Sequence, residues 1–218
     1  MTLATELNAV TEGVRQKLPA DMFATMEAGN LKLAASGLAD RVLKRGKRMP
    51  DFELPDANGR LVRSADLRAK GPLLISFYRG SWCPYCSLEL KALQTRLDEI
   101  TAKGATLVAI SPQTPDRSLT TAEKNALRFP VLSDAGNSVA RQFGLVFTLD
   151  ASLRPVYEAF GIDLAAHNGD DSFELPVPAT YAIARDGTVL NAYVDADYRK
   201  RVEPETILGW LNPVAPAA

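Results

Sequence analysis

Cysteine is scarce in this sequence: 218 residues hold two, Cys83 and Cys86, with two residues between them. A pair so close is no structural framework, because cross-linking a short loop removes little conformational entropy from the unfolded chain. Histidine is scarcer still, with His167 alone. A zinc site on the two sulfurs would need two further ligands, which only that histidine and carboxylates offer. Attachment of a c-type haem needs a histidine where Ser87 stands. Neither sign of charge prevails, since 25 basic residues face 26 acidic ones for a formal net charge of −1, so no field gathers nucleic acid or anionic lipid. No apolar run approaches the ~20 residues of a membrane span. Met1 to Glu12 lacks the basic and then apolar stretches of a secretion signal. These absences predict a cytoplasmic protein without nucleic-acid or membrane partners, and without metal or cofactor.

What is present is hydrophobic content of 46%, enough for one α/β domain with an extension. Residues 1–46 read as an N-terminal helical extension: Leu7, Val10, Val14 and Leu18 recur at helical spacing, and Leu38 and Val42 repeat it beyond the breaker Gly29-Asn30. Such a preface is either a lid over the domain's own core or a contact for a homodimer or another partner. The basic cluster Lys44, Arg45, Lys47 and Arg48, broken by Gly46 and followed by Pro50, reads as a solvated linker. The main domain is therefore placed at 47–218.

Within that domain strand-like and helix-like segments alternate. Leu73 to Tyr78 is a strand, and Leu90, Leu93, Leu97 and Ile100 share a helical face. Thr106 to Ile110 is the next strand, Ser118 to Leu127 a polar helix, Val131-Leu132 a strand, and Ser138 to Phe143 a helix capped by Gly144. Thr180 to Ala184 and Val189 to Val194 form a hairpin, with Asp186-Gly187 supplying the positive φ angles of its turn, and Pro204 to Leu211 is a last helix. A parallel βαβ front half followed by an antiparallel hairpin predicts a thioredoxin-like mixed β-sheet flanked by helices.

Cys83 follows an apolar strand and a short loop, and Pro84 suits the first position of a helix, where a missing N–H is harmless. Cys83 then sits at a helix N-terminus, whose free N–H groups and positive dipole end favour the thiolate. Cys86 lies three residues on, within reach for a disulfide. Buried, inert thiols are the alternative, but Cys-x-x-Cys in a βαβ setting points to redox chemistry.

The stretches Pro50 to Leu54, Phe77 to Cys86, Ser111 to Pro115, Phe129 to Asp134 and Asp186-Gly187 resemble, in their order, the peroxiredoxin-like branch of the alkyl hydroperoxide reductase and thiol-specific antioxidant family. Cys-Pro-Tyr-Cys is also similar to the glutaredoxin active site. Laid on the family's Pro-x-x-x-Thr-x-x-Cys pattern, the peroxidatic cysteine is Cys86, the Thr position holds Cys83 and the Pro position holds Arg79. The family's Arg before the strand near Thr180 is absent, with Pro176-Val177-Pro178-Ala179 in its place. Val177-Pro178 resembles instead the cis-proline that faces the dithiol in thioredoxin-like proteins. Arg79 is either a compensating cation or a solvated loop charge. Trp82 and Tyr85 either shape the substrate surface or pack on the strand.

The resemblance implies an antioxidant enzyme that reduces hydroperoxides through a Cys83/Cys86 dithiol and disulfide cycle, recharged by thioredoxin, glutathione or a similar thiol donor. Two other readings stand beside it: a thioredoxin- or glutaredoxin-like reductase of protein or glutathione disulfides, and a redox-regulated interaction protein. Helix electrostatics favours Cys83 as the attacking sulfur, and the family pattern favours Cys86. His167 is a minor general-base candidate, in a polar stretch read as a loop insertion. Phe160 to Glu174 is read as a cover over the site.

Overall fold

The computed structural model describes residues 2–212. The chain opens with helix α1 (Leu3–Lys17), whose first turn is capped by Thr2 accepting from the Thr5 amide, then α2 (Ala20–Ala34) and the short α3 (Leu38–Arg41). Gly29-Asn30 does not break α2, contrary to the sequence expectation. Gly29 serves close packing instead, for a Cβ there would press against Leu153. Helix α1 covers the domain's own core: Leu3 and Leu7 are buried in the apolar cluster that contains both cysteines. The basic run that follows keeps its side chains in solvent. Its backbone is nevertheless pinned, with Gly46 N donating to Val189 O and Met49 N to Gly187 O, each at 2.8 Å.

Strands β1 (Glu53–Pro55) and β2 (Leu61–Arg63) form a small antiparallel pair before helix α4 (Ser64–Lys70). Strand β3 (Leu73–Phe77), helices α5 (Pro84–Thr95) and α6 (Leu97–Ala102), and strand β4 (Thr106–Ser111) make the first parallel crossover. Helix α7 (Pro115–Lys124) and strand β5 (Val131–Ser133) continue it. Helix α7 starts three residues before the expected Ser118, because Pro115 takes its first turn. It ends early as well, since Ala126 turns left-handed at φ 49°. Helix α8 (Ser138–Gln142) then leads to strand β6 (Val146–Thr148).

Helices α9 (Arg154–Ala159) and α10 (Leu164–Asn168) precede strand β7 (Glu174–Pro176), which pairs with β6. The stretch read as a plain loop insertion thus contains α10, started by Asp163 accepting from Ala166 N at 2.9 Å. Strands β8 (Ala179–Ile183) and β9 (Val189–Val194) and helix α11 (Pro204–Trp210) complete the fold. The main sheet runs β5-β4-β3-β8-β9, parallel in its first three strands and antiparallel in the last two.

Two details differ from the sequence reading. Asp186 is not at positive φ. Gly187 alone is, at 94°, and a three-residue loop closed by Ala184 N to Thr188 O replaces the tighter turn. The Val177-Pro178 bond is trans, as are all bonds among the described residues. No tight turn calls for the cis form there, because β7 runs almost directly into β8 and Val177 N donates to Leu145 O at 2.9 Å.

Alternation along β3 divides the core. Leu73, Ile75 and Phe77 face one cluster, where Phe143 packs between the rings of Phe77 and Tyr181 with centroids 4.9 and 5.0 Å away. Leu74 and Tyr78 face the other, which holds both cysteines beneath α1 and α11. Among the described residues no helix is long and apolar enough to cross a membrane.

Gly144 joins the preface to this core: it sits at φ +74°, and a Cβ would run into the Arg41 carbonyl. Gly144→Ala is therefore expected to lower the urea-unfolding free energy by about 1–3 kcal/mol. Gly13→Ala, in open space within α1, is expected to raise it by about 0.5–1 kcal/mol.

Candidate active site

The loop after β3 delivers the thiols to a helix start. Cys83 N donates to Gly80 O at 3.1 Å, and Ser81 N donates to the Gln113 side chain, which fixes the approach. Cys83 caps α5, with Pro84 in the first turn, and its sulfur accepts from Cys86 N at 3.4 Å. The Cys86 thiol, one turn on, donates to that sulfur at 2.8 Å. Both cysteines are free and fully buried, at 0% exposure.

Two guanidiniums flank the pair. Arg79 Nη2 donates to Cys83 Sγ at 3.4 Å, and Arg201 Nη2 to Cys86 Sγ at 3.5 Å. Arg79 is only 4% exposed, which overturns the solvated-charge reading. Its guanidinium lies 3.8 Å from the Tyr198 ring centre and 4.9 Å from that of Trp82, and it donates to the Tyr157 hydroxyl at 3.0 Å. Arg201 donates to Glu89 at 2.6 Å, and Glu89 also accepts from the Thr180 hydroxyl at 3.1 Å. Burial pushes the Glu89 carboxyl up, against the pull of Arg201 and Thr180.

Counting charge around the sulfurs, two cations meet one carboxylate. Among the described residues no carboxylate pairs with Arg79, and the charge it faces is that of Cys83. A buried unpaired cation costs several kcal/mol, so the arrangement calls for one thiolate. Burial would push Cys83 up, but the hydrogen bond from Cys86 and the attraction of Arg79 and Arg201 outweigh it and hold Cys83 well below the ordinary thiol range. Burial, the hydrogen bond given to Cys83 and repulsion from its charge push Cys86 well above that range. The shifts favour negative charge on Cys83 over Cys86.

Trp82, Pro84 and Tyr85 border a cleft of about 390 Å³ that Arg79 also lines. Trp82 meets Tyr157 edge-on at 5.4 Å, and Tyr85 meets Tyr198 at 5.5 Å. Phe160, Gly161 and Ile162, from the start of the expected cover, form part of its wall, and neither sulfur is among the residues that line it. Val177 and Pro178 are buried and, like the two sulfurs, are not among the residues that line this cleft. His167 lies on α10, outside the thiol cluster, and burial lowers its pKa. Sequence reasoning missed Glu89, Tyr157, Tyr198 and Arg201. Glu89 carried a signal, since it shares a helical face with Cys86 three residues earlier. Arg201, 115 residues from Cys86, carried none.

A profile of the AhpC/TSA family matches residues 45–192. The chain belongs to the AhpC/TSA family. Peroxiredoxin Bcp of Escherichia coli (strain K12) is 34% identical over 103 residues, which are 47% of this chain and 65% of that protein's length. The putative peroxiredoxin Rv1608c of Mycobacterium tuberculosis (strain H37Rv) is 34% identical over 114 residues, 52% of this chain and 74% of its own. Among solved structures, peroxidoxin BcpB from Mycobacterium tuberculosis matches with a TM-score of 0.63 at 25% identity, covering 79% of this chain and 99% of that one. Reduced Prx3 from Vibrio vulnificus, solved in complex with hydrogen peroxide, shares the fold with a TM-score of 0.62 at 19% identity, over 78% and 99% of the two chains. The expected thioredoxin-like architecture is thus that of an AhpC/TSA domain. Helices α1 to α3 precede the matched residues.

Arg79→Gln should move the Cys83 titration upward by at least about one pH unit, as followed by ultraviolet thiolate absorbance. Cys83→Ser should abolish the low-pH step. A depressed thiol pKa stabilises the fold fully above the ordinary thiol value and loses that contribution as pH falls through the depressed one. Urea midpoints should follow the same course, and Arg79→Gln should flatten it.

Proposed function

We propose that this AhpC/TSA protein is a thiol peroxidase that reduces hydroperoxides through the Cys83/Cys86 couple. The observation that carries the reading is a fully buried Cys83 sulfur held as thiolate against Arg79. A small peroxide is suited to such a sulfur, whereas a protein disulfide needs an exposed one. The Cys83 thiolate attacks the terminal peroxide oxygen, so that an S–O bond forms as the O–O bond breaks. The departing alkoxide takes the Cys86 thiol proton and leaves as alcohol. Arg79 stabilises the charge that develops on it, a type of contact worth a few kcal/mol. Cys86, now a thiolate beside Arg201, attacks the Cys83 sulfenic acid, forming the disulfide and releasing hydroxide. Thioredoxin, glutathione or another thiol donor then supplies two electrons to restore the dithiol.

In this reading Cys83 takes the attacking role that the family pattern gives to Cys86. Arg79 and Arg201 supply the positive charge that the missing Arg would bring. The unit 47–218 carries the chemistry, with 1–46 as its helical cover. The dependence on thiol donors suits a reducing, cytoplasmic setting. A second reading, disulfide reductase, is favoured by the low-pKa sulfur at a helix N-terminus, the arrangement that attacks disulfides.

Wild type, Cys83→Ser and Cys86→Ser are to be followed for peroxide loss and for disulfide reduction, with thioredoxin and glutathione systems supplied in turn. Peroxide kcat/KM should fall at least about a thousandfold in Cys83→Ser. Cys86→Ser should retain one stoichiometric burst and stall as a sulfenic acid. Disulfide reduction with peroxide untouched would establish the reductase instead, and inactivity in both assays an interaction protein. A burst lost only in Cys86→Ser would return the attacking role to Cys86.

A further inference from the structure

Resting on the peroxidase reading, we propose that Tyr157 is a further catalytic residue, the proton donor to the hydroxide that leaves Cys83 when the disulfide forms. Its phenolate then replaces the Cys83 thiolate as the counter-charge of Arg79. The two terminal nitrogens of the Arg79 guanidinium are divided between these groups: Nη2 donates to Cys83 Sγ at 3.4 Å, and Nη1 to the Tyr157 hydroxyl oxygen at 3.0 Å. One planar cation thus holds the reacting sulfur and a phenol. Because that oxygen accepts from Arg79, its own proton is free for another acceptor, and none is found among the described residues. The neighbouring phenols are placed differently. Tyr198 presents its ring face to Arg79, and the Tyr85 hydroxyl is engaged with Thr11 at 3.2 Å.

The chemistry asks for a donor at this step. The Cys86 proton leaves with the alcohol, so when the S–S bond forms and the Cys83 S–O bond breaks, no thiol proton is left for the departing hydroxide. A phenol is a far stronger acid than water. The hydroxide therefore takes the Tyr157 proton and leaves as water, and the negative charge stays on the phenol oxygen; the electrons move as already written. Charge balance favours the same transfer, because the disulfide alone leaves Arg79 without an anion and a buried unpaired cation is costly. In the reduced protein burial raises the Tyr157 phenol, Arg79 pulls it down, and charge on Cys83 and Cys86 raises it again. Disulfide formation removes the two sulfur charges and leaves the pull of Arg79. None of the other charged groups that share a cleft with Tyr157, namely Lys32, Arg41, Asp150, Arg154, Glu158 and Asp163, hydrogen-bonds to its hydroxyl. Oxidation of the sulfurs changes none of them. Tyr157 and Arg79 both line two clefts, which give the water a way out and let a solvent proton return when the dithiol is restored.

The test uses the full chain in single turnovers, oxidised with hydrogen peroxide or, independently of any peroxide, with diamide. Tyr157→Phe keeps the ring and removes the hydroxyl. It should slow disulfide formation at least about a hundredfold, the scale of a general acid, and sulfenic acid formation far less. In the wild type the disulfide step should slow as pH rises through the Tyr157 titration. Replacing the Tyr157 side chain by fluorotyrosine, a more acidic phenol of similar shape, should move that limb to lower pH and guards against a misfolded first variant. Near-ultraviolet tyrosinate absorbance should place the Tyr157 titration at least about one pH unit lower in the disulfide form than in the dithiol, a difference lost in Tyr157→Phe. A disulfide step equally fast in Tyr157→Phe, a limb that fluorotyrosine leaves in place, or a titration that oxidation does not move overturns the assignment and leaves the peroxidase. A titration lowered by diamide, in a protein that consumes no peroxide, upholds Tyr157 as the counter-charge and overturns the peroxidase together with the proton-donor role that rests on it.

Discussion

The site depends on one pairing: a buried guanidinium, Arg79, whose counter-charge is a sulfur rather than a carboxylate. Inside a protein neither partner is tolerable alone, because desolvation penalises each ion by several kcal/mol. Protonating Cys83 would strand Arg79. The thiolate is therefore a requirement of the packing as much as of the chemistry. Helix α5 adds its N-terminal amide, and Cys86 adds a hydrogen bond, to a charge that Arg79 already fixes.

The rest of the layer divides the labour. Arg201 pairs with Glu89 and also reaches Cys86, and its attraction extends to Cys83. Tyr157, Tyr198 and Trp82 keep water from Arg79 while presenting ring faces or a hydroxyl to it. Helix α1 closes the layer from outside through Leu3 and Leu7. Forming the disulfide discharges Cys83 and leaves Arg79 facing only neutral partners. A disulfide there would accordingly leave the site less well balanced than the reduced pair.

Much of the fold was legible in the sequence. Strands β3, β4, β8 and β9 announce themselves as apolar or β-branched runs, and Pro84 and Gly144 mark a helix start and a helix end. The misreadings share a cause. Gly29-Asn30 looked like a breaker because local propensity does not register Leu153 packed against that glycine. Asp186-Gly187 and Val177-Pro178 likewise allow two backbone states each, and strand register selected the ones found.

The sequence by itself determined that the two cysteines form a Cys-x-x-Cys at a strand-to-helix junction, because that motif is local and its helix-terminus electrostatics follows from chain order. Tertiary structure alone decided which sulfur carries the charge. That choice is made by Arg79 folded inward and by Arg201 brought from 115 residues away. Electrostatic preference acts through distance and burial, and neither is written in the order of residues along the chain.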